Sequence, residues 1–104
     1  MASRLDQISD WEERARRAGY RTNILARDVG VTRQQLNRYV HSHHGMAAHL
    51  WMERLRTEDA RRLRQQGRLI KQIALEVGFR HATHFSRAFR RTCGIHPGDL
   101  PLIH

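Results

Sequence analysis

Two stretches of this 104-residue chain carry side chains whose types and spacing suit the reading of an anionic, hydrogen-bonding surface. In the first, Thr32, Arg33, Gln34, Asn37, Arg38 and His41 fall around a helical wheel. With Leu36 at the centre of the buried face and about 100° per residue, Val40 and Tyr39 point inward and Gln34, Asn37, Arg38 and His41 point outward. Gln and Asn amides offer a donor and an acceptor side by side, which matches the edge of adenine. A guanidinium matches guanine or a phosphate. In the second stretch Phe85, Ala88 and Phe89 form the buried face, and Arg80, His81, Ala82, Thr83, Ser86, Arg87 and Arg90 stand at the start or on the outer side. This face is chemically plainer, and Arg80 and Arg87 suit phosphates, which fix register without carrying sequence information. An ordinary solvated helix face is the bland reading of either stretch.

Each face has to be held by something, and the same device precedes both. Ile73, Ala74 and Val77 sit at helical spacing before Gly78, and the second helix restarts within a few residues. Glycine takes the left-handed conformation at low cost, so helix, tight turn, helix is the expected local structure. Leu25, Ala26, Val29, Gly30 and Val31 repeat Ile73, Ala74, Val77, Gly78 and Phe79 at an offset of 48 (73 − 25), which becomes 49 (85 − 36) beyond the turn, where Leu36 pairs with Phe85. The pattern therefore predicts two helix-turn-helix units. Helices are expected over Leu5–Ala18, Thr22–Val29, Thr32–His43 with Thr32 as N-cap, Ala47–Gln66, Ile70–Val77 and His81–Thr92, and Pro97 opens a short last helix. The fold class is all-α with about seven helices. The helix over Ala47–Gln66 would be roughly 30 Å long, close to the ~34 Å between successive major grooves on one face of a duplex, and it reads as a strut between two reading heads. On it Trp51, Met52, Leu55, Ala60 and Leu63 form the inner stripe, Arg56 and Asp59 read as an intrahelical pair, and Arg54, Arg61, Arg62 and Arg64 make a basic flank, solvated or facing phosphates.

The run IALEVGF, followed by HFSRAF and GIHP, closely resembles the C-terminal signature of the DNA-binding domain of the AraC/XylS regulators. LARDVGVTRQQLNRYV and GMAAHLWMERLRTEDARRL resemble that domain's first helix-turn-helix and its connecting helix, so the likeness covers about Leu5 to Pro97 in the family's order. Ala82 departs from the family pattern where a polar residue is frequent, and His84 stands where an aromatic is common. The resemblance implies a single AraC-type domain over 1–104, with a first lobe at 1–45, a linker helix at 46–66 and a second lobe at 67–104. It further implies a bacterial, sequence-specific regulator of transcription, an activator that touches RNA polymerase if it stands alone. The 104 residues leave no room for the ligand-binding domain such regulators usually carry, so the resemblance implies either a short stand-alone member or an excised domain.

Composition narrows the alternatives. The formal charge is +9 at pI ≈ 11.5 and rests on 18 Arg against one Lys, a balance suited to phosphate. No apolar run reaches the ~18 residues of a membrane span, and no amphipathic segment has a purely basic polar face. The first residues are polar, so the chain is expected to stay in the cytoplasm, associated with the nucleoid. Cys93 is the one cysteine and reads as a small packing residue, or as a thiol activated by Arg90 and Arg91. His41, His43, His44 and His49 cluster in sequence, and His81 and His84 are three apart, but a structural zinc site wants four ligands, usually with cysteines. No metal, cofactor or catalytic constellation is expected, and the chain is not read as an enzyme. Two different heads in one chain imply an asymmetric site on double-stranded DNA that a monomer can occupy. The rival reading is an architectural or accessory DNA binder for replication, recombination or plasmid and phage upkeep.

Overall fold

A computed structural model describes residues 4–101; the outer limits of the two expected lobes, residues 1 and 104, lie outside them. The described chain is entirely helical. A 3-10 turn at Arg4–Gln7 is followed by α1 (Trp11–Arg17), α2 (Thr22–Asp28), α3 (Arg33–His44), α4 (Ala48–Gln65), α5 (Ile70–Glu76), α6 (Ala82–Cys93) and a closing 3-10 turn at Pro97–Asp99. Helices two to six match the expected spans to within a residue or two, which is the ordinary uncertainty of a helix end. The chain divides into two compact units, the first ending at Leu55 and the second beginning at Arg56.

The first helix is the main departure. The expected Leu5–Ala18 helix is broken, because Asp10 adopts a non-helical φ/ψ of −111°/43° and begins α1 anew. Its carboxylate accepts from Arg14 Nε at 2.8 Å and its carbonyl from Arg14 N at 3.0 Å. The break leaves Leu5, 4% exposed, in the core of the first unit with Leu25, Leu36, Val40 and Met52.

The two turns are built alike. Gly30 and Gly78 have φ of 77° and 87°, and the amide beyond each glycine reaches back to the preceding helix, Val31 N to Ala26 O at 3.0 Å and Phe79 N to Ala74 O at 2.7 Å. Each thereby satisfies a carbonyl that the end of a helix would leave unpaired. The surrounding cores differ. Aliphatic side chains fill the first unit, whereas in the second Phe85 lies 5.6 Å from Phe79 and 5.7 Å from Phe89 between ring centroids, with Ile73, Val77 and Ala60 buried beside them.

Three arginines serve this framework. Arg4 Nη2 donates to Val29 O at 2.9 Å and to Gly30 O at 3.1 Å. Arg56 Nε donates to Val77 O at 2.7 Å while its guanidinium lies 3.6 Å from the centre of the Phe79 ring. Arg64, expected on the basic flank, instead donates to Pro97 O at 3.1 Å and Arg68 O at 3.0 Å, tying the closing turn to α4. Arg54, Arg61 and Arg62 are exposed as expected. Met52 and Ala60 are buried as the inner stripe requires; Asp59 is buried too, with Arg62 Nη2 3.7 Å from its carboxylate.

Candidate nucleic-acid interface

α3 is a well-started helix. Thr32 Oγ1 accepts from Gln35 N at 3.1 Å and Gln35 Oε1 accepts from Thr32 N at 2.9 Å, so two orphan amides of the first turn are satisfied reciprocally. Leu36 and Val40 bury one face. The residues assigned to reading, Thr32, Arg33, Gln34, Asn37, Arg38 and His41, are all exposed. Gln34, Asn37, Arg38 and His41 line one shallow concavity of about 440 Å³ together with Ser42, which the wheel did not single out.

A larger groove of about 730 Å³ lies on the other side of Gln34 and Asn37. Arg33 enters it from α3, Arg21, Thr22 and Asn23 from the start of α2, and Ala47, Ala48 and His49 from the start of α4. No acidic residue lines it. Arg21, Asn23 and His49 escaped sequence reasoning because only the fold brings three distant helix starts together. Their one advance signal was a basic or polar residue in the first turn of a helix flanking the reading face.

Asn37 has a structural role that the sequence did not reveal. Its Oδ1 accepts from Ala48 N at 2.8 Å, so it caps α4 from eleven residues upstream. Ala47, just before that helix, has a methyl side chain and cannot cap it. The amide oxygen has a second lone pair and Nδ2 keeps its two donors, so the cap orients the Asn37 amide while leaving it groups to offer a base.

Thr83, Arg87 and Arg90 of α6 are exposed, as are Arg80 and His81 just before it, whereas Ala82 and Ser86 are half-buried. The Ser86 hydroxyl therefore stands less far out than the wheel predicts. His81 occupies the N-cap position with no hydrogen bond from its side chain to the helix, and its ring meets that of His84 edge-on at 5.5 Å. Neither α3 nor α6 contains an acidic residue.

Ion pairing sorts the arginines further. Arg14 is held by Asp10 and Asp28, Arg16 by Glu12, Arg17 by Asp10 and Arg68 by Glu76. Among the described residues, no ion pair holds Arg33, Arg38, Arg80, Arg87 or Arg90. Charge left over for an external anion therefore includes the exposed sides of α3 and α6, alongside Arg21, Arg27, Arg54, Arg61 and Lys71, for which no ion pair is seen among the described residues either. Cys93 closes α6 half-buried, and burial pushes its thiol up despite the opposing Arg61, which is contrary to an activated thiolate. Among the described residues, no three His, Cys, Asp or Glu side chains gather as a metal site requires, and no helix is long and apolar enough to cross a membrane.

Two glycine-turn helix pairs, each with an exposed basic face on its second helix, define a helix-turn-helix DNA-binding domain. The family pattern described as a helix-turn-helix domain matches residues 25–100. The chain belongs to the AraC/XylS family of DNA-binding domains. It is 39% identical over 77 residues to the HTH-type transcriptional regulator GlxA of Rhizobium meliloti, covering 73% of this chain and 24% of that protein. Against the HTH-type transcriptional activator RhaS of Salmonella schwarzengrund it is 28% identical over 99 residues, covering 94% of this chain and 36% of the other. The chain thus spans about a quarter to a third of these curated relatives. The crystal structure of an AraC-type transcriptional regulator from Chromobacterium violaceum superposes with a TM-score of 0.76 at 29% identity, covering 91% of this chain and 88% of that one.

Proposed function

We propose that this domain binds double-stranded DNA sequence-specifically and regulates transcription, with α3 and α6 each entering a major groove. The observation that carries this reading is that, among the described residues, no ion pair holds Arg33 and Arg38 on α3, Arg87 and Arg90 on α6, or Arg80 in the turn before α6, and that neither helix contains an acidic residue. Arg33, Gln34, Arg38 and His41 are assigned to the first head, with Thr32 as cap and Asn37 as a donor that also caps α4. Arg80, His81, Thr83, Arg87 and Arg90 are assigned to the second, where Ala82 and Ser86 contribute surface near the base edges. The groove residues Arg21 and His49 extend the first head toward the flanking phosphates. The site is read as two blocks on one DNA face, adjacent major grooves lying ~34 Å apart. Because the two heads differ, the site is asymmetric and one copy of the chain fills it. Similarity to a transcriptional activator favours activation, with RNA polymerase as the further partner.

Selection of sites from random duplex DNA at near-physiological salt, followed by footprinting, tests this. Two enriched blocks about one helical turn apart are the expected result. One block reduces the second unit to an anchor. Tight binding with no enrichment overturns the reading in favour of an architectural binder, an outcome toward which the plain chemistry of α6 points.

A further inference from the structure

The turn at Arg4–Gln7 lies beside the outer face of α3, where Leu5 and Asp6 share a concavity of about 380 Å³ with Arg38 and Ser42, and it touches both ends of that helix. Before α3, Arg4 Nη2 donates to Val29 O and Gly30 O, and a Cβ on Gly30 would come within 2.5 Å of that nitrogen. At the far end, Asp6 Oδ1 lies 3.2 Å from His43 Nε2, and His43 Nδ1 lies 3.0 Å from Tyr39 O. The Tyr39 ring stacks on His43 at 4.0 Å and on Trp11 at 5.4 Å. Burial, and then a hydrogen bond to Asp6, raises the Tyr39 phenol above its ordinary range. Between these two attachments Leu5 is buried in the core.

We infer that Arg4–Gln7 is a strap that braces α3 at both ends and so sets the sequence preference of the first unit through residues outside the reading face. The inference rests on the reading of α3 as a base-reading helix. Arg4 and Asp6 are positioning residues: one fixes the turn from which α3 departs, the other its last turn. Base readout tolerates little displacement, since a shift of the helix that opens one bidentate pair of hydrogen bonds removes most of the discrimination that pair supplied. Non-specific attraction to the backbone depends on charge and should survive such a shift.

The full chain carrying Arg4→Met or Asp6→Ala tests this, because the two substitutions change net charge in opposite directions. Binding to the selected site and to an unrelated duplex is measured at two salt concentrations, at a temperature where circular dichroism shows each variant fully folded. The strap predicts that the ratio of specific to non-specific affinity falls about tenfold in both, roughly what one base pairing supplies. A charge effect alone would instead weaken both duplexes with Arg4→Met and strengthen both with Asp6→Ala, leaving the ratio unchanged; that result overturns the inference. Should the unaltered chain prefer no duplex, base reading itself fails, and amide hydrogen exchange of the free protein decides the strap. Faster exchange at Gly30 and Val31 in Arg4→Met and in the last turn of α3 in Asp6→Ala upholds the bracing, and unchanged exchange ends it.

Discussion

The two helix-turn-helix units share a turn down to individual hydrogen bonds and share little else. Val31 N to Ala26 O and Phe79 N to Ala74 O are the same bond 48 residues apart, and an arginine grips the carbonyl before each turn glycine. The gripping arginine comes from the strap in the first unit and from α4 in the second. The helices that follow diverge. α3 begins in a reciprocal capping box and displays amides, whereas α6 begins without a side-chain cap, packs through a trio of phenylalanines and displays arginines and Thr83. Backbone geometry at the turn thus follows from glycine and a few apolar positions, while the outward chemistry is free to differ. On the proposed reading, the first unit would discriminate among sequences and the second would hold the duplex.

The grip on the turn gives the largest expected effect. Arg56 combines a charge-assisted bond to Val77 O with stacking on Phe79, so Arg56→Ala should destabilise the protein by about 2–4 kcal/mol, read by urea unfolding of the full chain. Arg56→Lys should recover part of this through the carbonyl bond alone. A cost below ~1 kcal/mol would mean that the aromatic core holds the turn without help and that the two grips are not equivalent.

Removal of one reading arginine from each head sharpens the functional contrast. Arg38→Ala should cost on the order of 1–3 kcal/mol of binding and relax base preference within one half of the site. Arg87→Ala should weaken binding evenly across sequences and reduce the salt slope by about one. Titration against the selected site and its single-base variants separates the two patterns. A base-selective loss at Arg87 would reverse the assignment of discrimination and anchoring.

Helix starts provide a smaller test. Thr32→Ala should destabilise by about 1 kcal/mol, the usual cost of deleting a capping hydroxyl. His81→Ser should stabilise by a comparable or smaller amount, since it supplies α6 with a cap that His81 does not provide. Both are read from Tm in parallel. Stabilisation by His81→Ser with loss of DNA binding would show that the bare helix start is kept for a phosphate.

The elements legible in the sequence are those specified by local signals. Val29–Gly30 and Val77–Gly78 mark their turns, Thr32 its cap, and Leu36 and Phe85 their buried faces, because apolar period and glycine act over a few residues. What escaped depends on partners distant in the chain. Ile8 and Trp11 continue the apolar stripe that Leu5 begins, and this periodicity masks the one local sign of the break, Asp10 followed three residues on by Glu13. The capping role of Asn37 is hidden because its partner, Ala48 N, lies eleven residues on. Arg4, Arg56 and Arg64 are indistinguishable by type from Arg38 and Arg87. Only the fold shows which guanidiniums are spent on carbonyls.

The smallest expected effect concerns an ion network of the first unit. Arg14 bridges Asp10, from Nε at 2.8 Å, and Asp28, from Nη1 at 3.1 Å, and so links the start of α1 to the end of α2. The hydrogen bond from Arg14 is the main cause that holds the Asp10 carboxyl below its ordinary value, with charge from Arg14 and Arg17 adding to it against some desolvation. A carboxyl depressed by folding contributes stability above its unfolded pKa of about 3.9 and loses it as pH falls through the lower folded value. Asp10→Asn should therefore lower Tm at pH 7 and leave it nearly equal to that of the unaltered chain once pH drops below the folded pKa. The pair is exposed, so the difference at pH 7 should be small and shrink further in salt. A Tm difference that persists unchanged into strong acid would assign Asp10 a role in starting α1 through its backbone geometry rather than through its charge.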